Sequence, residues 1–183
     1  MAYGEFEFEV AGIMSYAIDG GPDTAARIFF RVNGEAARLD VADAILRPFF
    51  DKLTLGGRWG NALGALRFCK NVRNQYAHCQ WHPDAHNLYF FNLDRDGRDS
   101  LEGELIVNPY PTNLELLQKQ YEYFEHTLDW LYYLSCECRG HKGEESARPP
   151  VPKSIPQPQL HIRPKKPLQS PETETNYGDS AQY

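Results

Sequence analysis

Residues 114–135 restrict the fold more than any other part of the chain. Leu114, Leu117, Tyr121, Phe124, Leu128, Leu131 and Ser135 recur at intervals of three and four, the apolar stripe of a long amphipathic helix. Pro111 precedes the run, and Thr112 or Asn113 is placed to cap it. A seam this regular needs cover, either in the core of a helical bundle or on the face of a dimer. With 183 residues, 42% of them hydrophobic, the chain has the material for one such domain plus an extension.

Helical spacing also organises the segments upstream. Phe6, Val10, Ile13, Met14 and Ala17 define a first helix over residues 4–18, stopped by Gly20, Gly21 and Pro22. Asp23 is suited to cap a short helix carrying Ala26, Phe29 and Phe30. A third helix spans residues 35–53, with Leu39, Ala42, Ile45, Leu46, Phe49 and Leu53 on one stripe. Pro48 predicts a kink or break within it, and Gly56 and Gly57 end it. A fourth covers residues 59–77, placing Ala62, Leu66, Cys69, Arg73 and Tyr76 on a common face. After Pro83 the pattern changes. Leu88–Phe91 and Glu104–Val107 are short β-rich runs, and Asp94-Arg95-Asp96-Gly97 between them is turn chemistry. The expected fold class is mainly α: a helical domain over residues 1–139 with a β-hairpin insert at about residues 87–108.

Residues 140–183 hold eight of the thirteen prolines and almost no aliphatic clusters. That composition buries too little apolar surface to offset the entropy of ordering, so it predicts a disordered Pro-rich tail. Solubilisation is its simplest role; its Pro-x-Pro stretches also suit docking to a protein partner. No run of 18 apolar residues occurs, and the opening MAYGEFEFEV lacks the pattern of a signal peptide. A soluble cytoplasmic protein without membrane contact is expected. Cys69, Cys79, Cys136 and Cys138 fall in or at the ends of helices, which favours free thiols in a reducing compartment over a disulfide scaffold.

A formal charge of −6 argues against binding nucleic acid by bulk charge. The charge is uneven, however. Between Lys52 and Pro83 there is no Asp or Glu, while Lys52, Arg58, Arg67, Lys70 and Arg73 are all present. This window contains Arg73-Asn74-Gln75-Tyr76-Ala77-His78. Arg73 offers a permanent planar cation able to grip phosphate through two hydrogen bonds. His78 carries a proton that moves near neutral pH, and Asn74 can orient either group. Together they suit general acid–base cleavage of a phosphodiester, with no metal or other cofactor required. Lys70 and Arg67 are the cations placed to follow a substrate backbone, and Tyr76 and Trp81 the rings placed to stack on it. On an unbroken helix Arg73 and His78 would diverge by about 140°. Either the helix ends near Ala77 or the site is shared across a dimer. Each residue alone has a plainer explanation: Arg73 can pair with an acid such as Glu122 or Asp129, and His78 can cap carbonyls. Their joint presence with Asn74 in an acid-free window points to function.

The segment resembles the signature of HEPN domains, in which Arg, a polar residue, a few further residues and His close a helix of a small bundle. Arg73, Asn74 and His78 fit the version with four residues between Arg and His, over about a dozen positions of NVRNQYAHCQW and its surroundings. The resemblance implies a helical homodimer whose motifs meet in a shared cleft, and metal-independent endoribonuclease activity. On that pattern Arg73 stabilises the phosphate, His78 acts as acid–base or positions the scissile group, and Asn74 supports both. Other members of the family have lost catalysis and only bind RNA, nucleotides or partners, so a non-catalytic dimerisation or partner-binding module is the alternative.

Cys69, His78, Cys79, His82 and His86, with Cys136, Cys138 and His141 downstream, invite comparison with a zinc site. Their spacing matches no usual zinc knuckle and Cys69 falls on the core face, so core thiols are the preferred reading. Gly56-Gly57 lacks the Lys-Ser/Thr of a phosphate loop, and no Gly-x-Ser-x-Gly element occurs.

Overall fold

Apolar faces on five helices meet in one core. In chain order the elements are α1 (Gly4–Ala17), α2 (Gly21–Arg31), α3 (Glu35–Lys52), α4 (Gly56–Ala77), β1 (Gln80–Pro83), β2 (Leu88–Phe91), β3 (Tyr110–Thr112) and α5 (Leu114–His141). The structure is a computed structural model, which describes residues 3–18, 20–77, 79–83, 88–92, 107–144 and 148–161. Helix α1 packs against α2, α3 and α5, while α4 lies against α3 and α5. Phe6, Ile13 and Met14 of α1 meet Phe29, Leu46, Phe50, Trp59, Leu66, Leu131 and Leu134 in the buried cluster. No helix among the described residues is long and apolar enough to cross a membrane.

Several boundaries differ from expectation for local reasons. Helix α3 runs unbroken through Pro48. Pro48 and Ala44 both lie on the exposed face, so the carbonyl that Pro48 cannot serve faces water. Asp23 sits in the first turn of α2 and makes no capping bond. Gly56 and Gly57 open α4 where they were expected to close α3. A Cβ at Gly56 would meet the far end of the Asp51 side chain, which can turn aside.

The long C-terminal helix is capped by Asn113, whose Oδ1 accepts from the Leu116 amide at 2.8 Å. Its buried residues include Leu116, Gln120, Tyr123, Thr127, Trp130, Leu131 and Leu134. The expected seam is therefore displaced. Leu131 and Ser135 are buried, but Leu114 is 80% and Tyr121 50% exposed. Core contact follows the natural 3.6-residue period, and a heptad-like stripe drifts off it along so long a helix.

The β region also differs. Leu88–Phe91 is the centre of a three-stranded antiparallel sheet, pairing Trp81 with Phe90 on one side and Phe90 with Tyr110 on the other. The expected turn at residues 94–97 and most of the expected strand at 104–107 lie outside the described residues. Phe90, buried, joins the sheet to the bundle through a perpendicular contact with Tyr76 at 5.1 Å.

Part of the segment expected to be a disordered tail from residue 140 lies among the described residues. Helix α5 continues to His141, and residues 148–161 form an extended strap across α4 and α5. The Leu160 carbonyl accepts from Gln75 Nε2 at 2.6 Å and Gln120 Nε2 at 2.9 Å, and the Gln159 carbonyl from Gln120 at 2.8 Å. Gln120 is buried, so a desolvated amide is satisfied by the strap's backbone. Sequence composition gave no sign of this, because the grip comes from backbone carbonyls and not from an apolar run.

All four cysteines are free, and Cys69, Cys136 and Cys138 are buried. Cys69 lies 3.4 Å from Thr127 Oγ1. Burial pushes the Cys69 and Cys138 thiols up to about 12 from 9.0. In the unfolded chain they ionise near 9, so the folded state binds more protons above that pH. Stability is expected to be fully retained below pH 9 and lost as pH rises toward 12. Chemical denaturation between pH 8 and 11 tests this: substitution of both thiols by serine should flatten the alkaline decline, and an unchanged decline would assign it to other groups.

Candidate functional site

Helix α4 is anchored along its length by Trp59, Ala62, Leu63, Leu66, Cys69 and Val72, all buried. Arg73 follows Val72 and emerges at the rim of that face. Its Nη1 donates to Asn74 Oδ1 at 2.9 Å and pairs with Glu35 Oε1 at 3.1 Å. The Arg73 side chain is 44% exposed and that of Glu35 22%. Glu35 lies in the first turn of α3, where the helix dipole also favours its charge. Arg73 therefore pairs with α3, not with Glu122 or Asp129 of the last helix. At this exposure the ion pair contributes about 0–1 kcal/mol, so an incoming phosphate can compete for the guanidinium.

The helix stops at Ala77, and Cys79 Sγ lies 3.2 Å from the Tyr76 carbonyl near its end. His78 lies outside the described residues. Tyr76 and Trp81 do come together, with rings 5.1 Å apart and inclined by 29°. The Tyr76 hydroxyl donates to Gln120 Oε1 at 2.9 Å, so this ring is partly committed to fastening α5. Trp81 remains 42% exposed. Arg67, further up α4, pairs with Asp40 at 2.8 Å and is not gathered around Arg73. Lys70 is half-buried. Among the described residues no three His, Cys, Asp or Glu side chains converge as a metal site.

Sequence reasoning missed Glu35, Tyr3 and the strap residues Leu160 and His161. Glu35 and Tyr3 are far from the motif in sequence, and only the packing of α3 on α4, and of α1 on α3, brings them close. Tyr3 is buried and its hydroxyl has no hydrogen-bond partner among the described residues. Burial, then the charges of Glu35 and Glu7, push its pKa up and so oppose ionisation, while Arg73 acts the other way. An unsatisfied hydroxyl costs stability. Tyr3→Phe is expected to stabilise the fold by about 1 kcal/mol, or roughly 3 °C in thermal midpoint; a lower midpoint by differential scanning calorimetry would contradict the assignment.

Chemically, this end of α4 offers an orientated, accessible guanidinium, an amide bonded to it, and a helix end directly before a histidine. No protein-family model, curated protein or solved structure matches the chain.

Proposed function

We propose that the chain is an RNA-directed protein of the HEPN type, cleaving phosphodiesters without metal at a cleft built around Arg73 and His78. The observation that carries this reading is the Arg73–Asn74 pair. The guanidinium is held at 2.9 Å by its neighbour yet stays 44% exposed, at the end of a helix that stops at Ala77. In the proposed reaction Arg73 binds the phosphate and stabilises developing charge, His78 transfers the proton, and Asn74 orients the cation. A homodimer fits the exposed apolar groups on α1 and α5: Phe8 at 71%, Leu114 at 80% and Tyr121 at 50%.

Incubation of the purified full chain with single-stranded RNA in EDTA tests the proposal. Cleavage that is lost in Arg73→Ala and His78→Ala supports it. Absent cleavage, or cleavage unchanged in both variants, removes the enzymatic reading.

A second reading, a non-catalytic partner-binding module, is favoured by the Glu35 carboxylate that already neutralises Arg73. Partner capture that requires residues 142–183, with RNA left intact, distinguishes it.

A further inference from the structure

The strap brings a second histidine to the motif end of α4. Holding the Leu160 carbonyl by Gln75 and Gln120 fixes where the next residue, His161, must lie. His161 meets Tyr110 edge-on, with centroids 5.3 Å apart, and Tyr110 stacks on Phe90 at 5.3 Å and 21°. These rings form one wall of a cavity of about 240 Å³, whose polar lining includes Asn71, Asn74 and Asn92. Asn92 Nδ2 donates to the Gln75 carbonyl at 3.4 Å, tying the sheet to α4. Asn74 faces the cavity and also holds Arg73.

We propose that this cavity between α4, the sheet and the strap is a nucleobase pocket, seating the base of a nucleotide whose phosphate Arg73 binds. It rests on the phosphodiester reading given above. The size is right for one planar heterocycle and too small for a drug-sized ligand. The chemistry matches as well. Carboxamides present a donor and an acceptor side by side, as the edge of a base does. Asn74 spends its oxygen on Arg73, and its N–H groups make no hydrogen bond among the described residues. The aromatic wall supplies the face on which a base stacks. The sugar and phosphate then run past Asn74 toward Arg73.

The test is calorimetric titration of the full chain with nucleoside 5′-monophosphates, uncharged nucleosides and ribose 5-phosphate. At least one nucleotide should bind about fivefold or more tightly than ribose 5-phosphate, the low end of one base–ring contact. His161→Ala and Asn71→Ala should remove that difference and leave ribose 5-phosphate binding unchanged. Leu160→Asp, which sets a charge where the Leu160 side chain packs against the core and so loosens the strap while circular dichroism confirms the fold, should do the same. Equal binding of nucleotides and ribose 5-phosphate, both lost in Arg73→Ala, overturns the pocket and leaves the phosphate site standing. Nucleoside 5′-monophosphate binding that depends on His161 but is indifferent to Arg73→Ala upholds the pocket and overturns the Arg73 phosphate site. No binding by any of these probes overturns the pocket, and the cleavage assay in EDTA then decides the phosphodiester reading on its own.

Discussion

Arg73→Ala is expected to lower metal-independent RNA cleavage by about 10²–10³-fold, the usual loss when one charge-stabilising donor is removed from a transition state. The fold should survive, because the Arg73–Glu35 pair is half-exposed and contributes about 0–1 kcal/mol. Arg73→Lys should recover only part of the rate, since a lysine is a point charge without the planar fork that fits phosphate. Glu35→Gln separates this account from a purely structural one. If Glu35 competes with phosphate for the guanidinium, removing its charge should tighten RNA binding. If the pair only staples α3 to α4, the same change should destabilise the protein and leave binding unaltered. His78→Ala is expected to cost about 10²–10⁴-fold through loss of proton transfer. Single-turnover cleavage of a labelled oligoribonucleotide, alongside thermal unfolding of each variant, gives both readouts.

Trp59→Ala should produce the largest loss of stability, about 3–5 kcal/mol. Trp59 is fully buried, stacks on Phe50 at 5.6 Å and donates its indole N–H to Asp43 at 2.9 Å. Alanine leaves a cavity between α3 and α4 and strands the Asp43 bond. Trp59→Phe should cost less, because it keeps much of the packing and loses only the donor and one ring. Denaturant titration followed by circular dichroism measures both. A loss below about 1 kcal/mol for Trp59→Ala would mean that the core closes over the gap. The Arg73–Glu35 pair spans the same two helices, so loosening them should also weaken any Arg73-dependent activity near the unfolding transition.

Much of the helical frame was readable from spacing. Phe6, Val10, Ile13 and Met14 are buried on α1, and α4 ends at Ala77, both as their sequence patterns predict. What spacing did not carry was which of two adjacent stripes on the last helix meets the core. Gln120 and Thr127 are buried there because Tyr76, the strap and Cys69 give their polar atoms partners, and a hydrophobicity pattern cannot anticipate such pairings. The β1–β2 pairing was hidden for a related reason. Gln80–Pro83 is exposed throughout, so it lacks the alternation that marks a half-buried strand. At the candidate site, Arg73 and Asn74 were identifiable from residue type and local charge, whereas Glu35, Tyr3 and His161 reach it only through tertiary packing. Arg67 also carries an exposed ion pair, to Asp40 of the neighbouring helix, a partner that its own stretch of sequence does not reveal.

Binding of a phosphodiester by Arg73 can be observed directly at its guanidinium. In the ¹⁵N-labelled full chain, the Arg73 Nε–H resonance is followed during titration with a short 2′-O-methyl oligoribonucleotide that cannot be cleaved. A saturable shift of that resonance is expected, stronger in Glu35→Gln. An oligoribonucleotide that binds while the Arg73 resonance stays in place would contradict it.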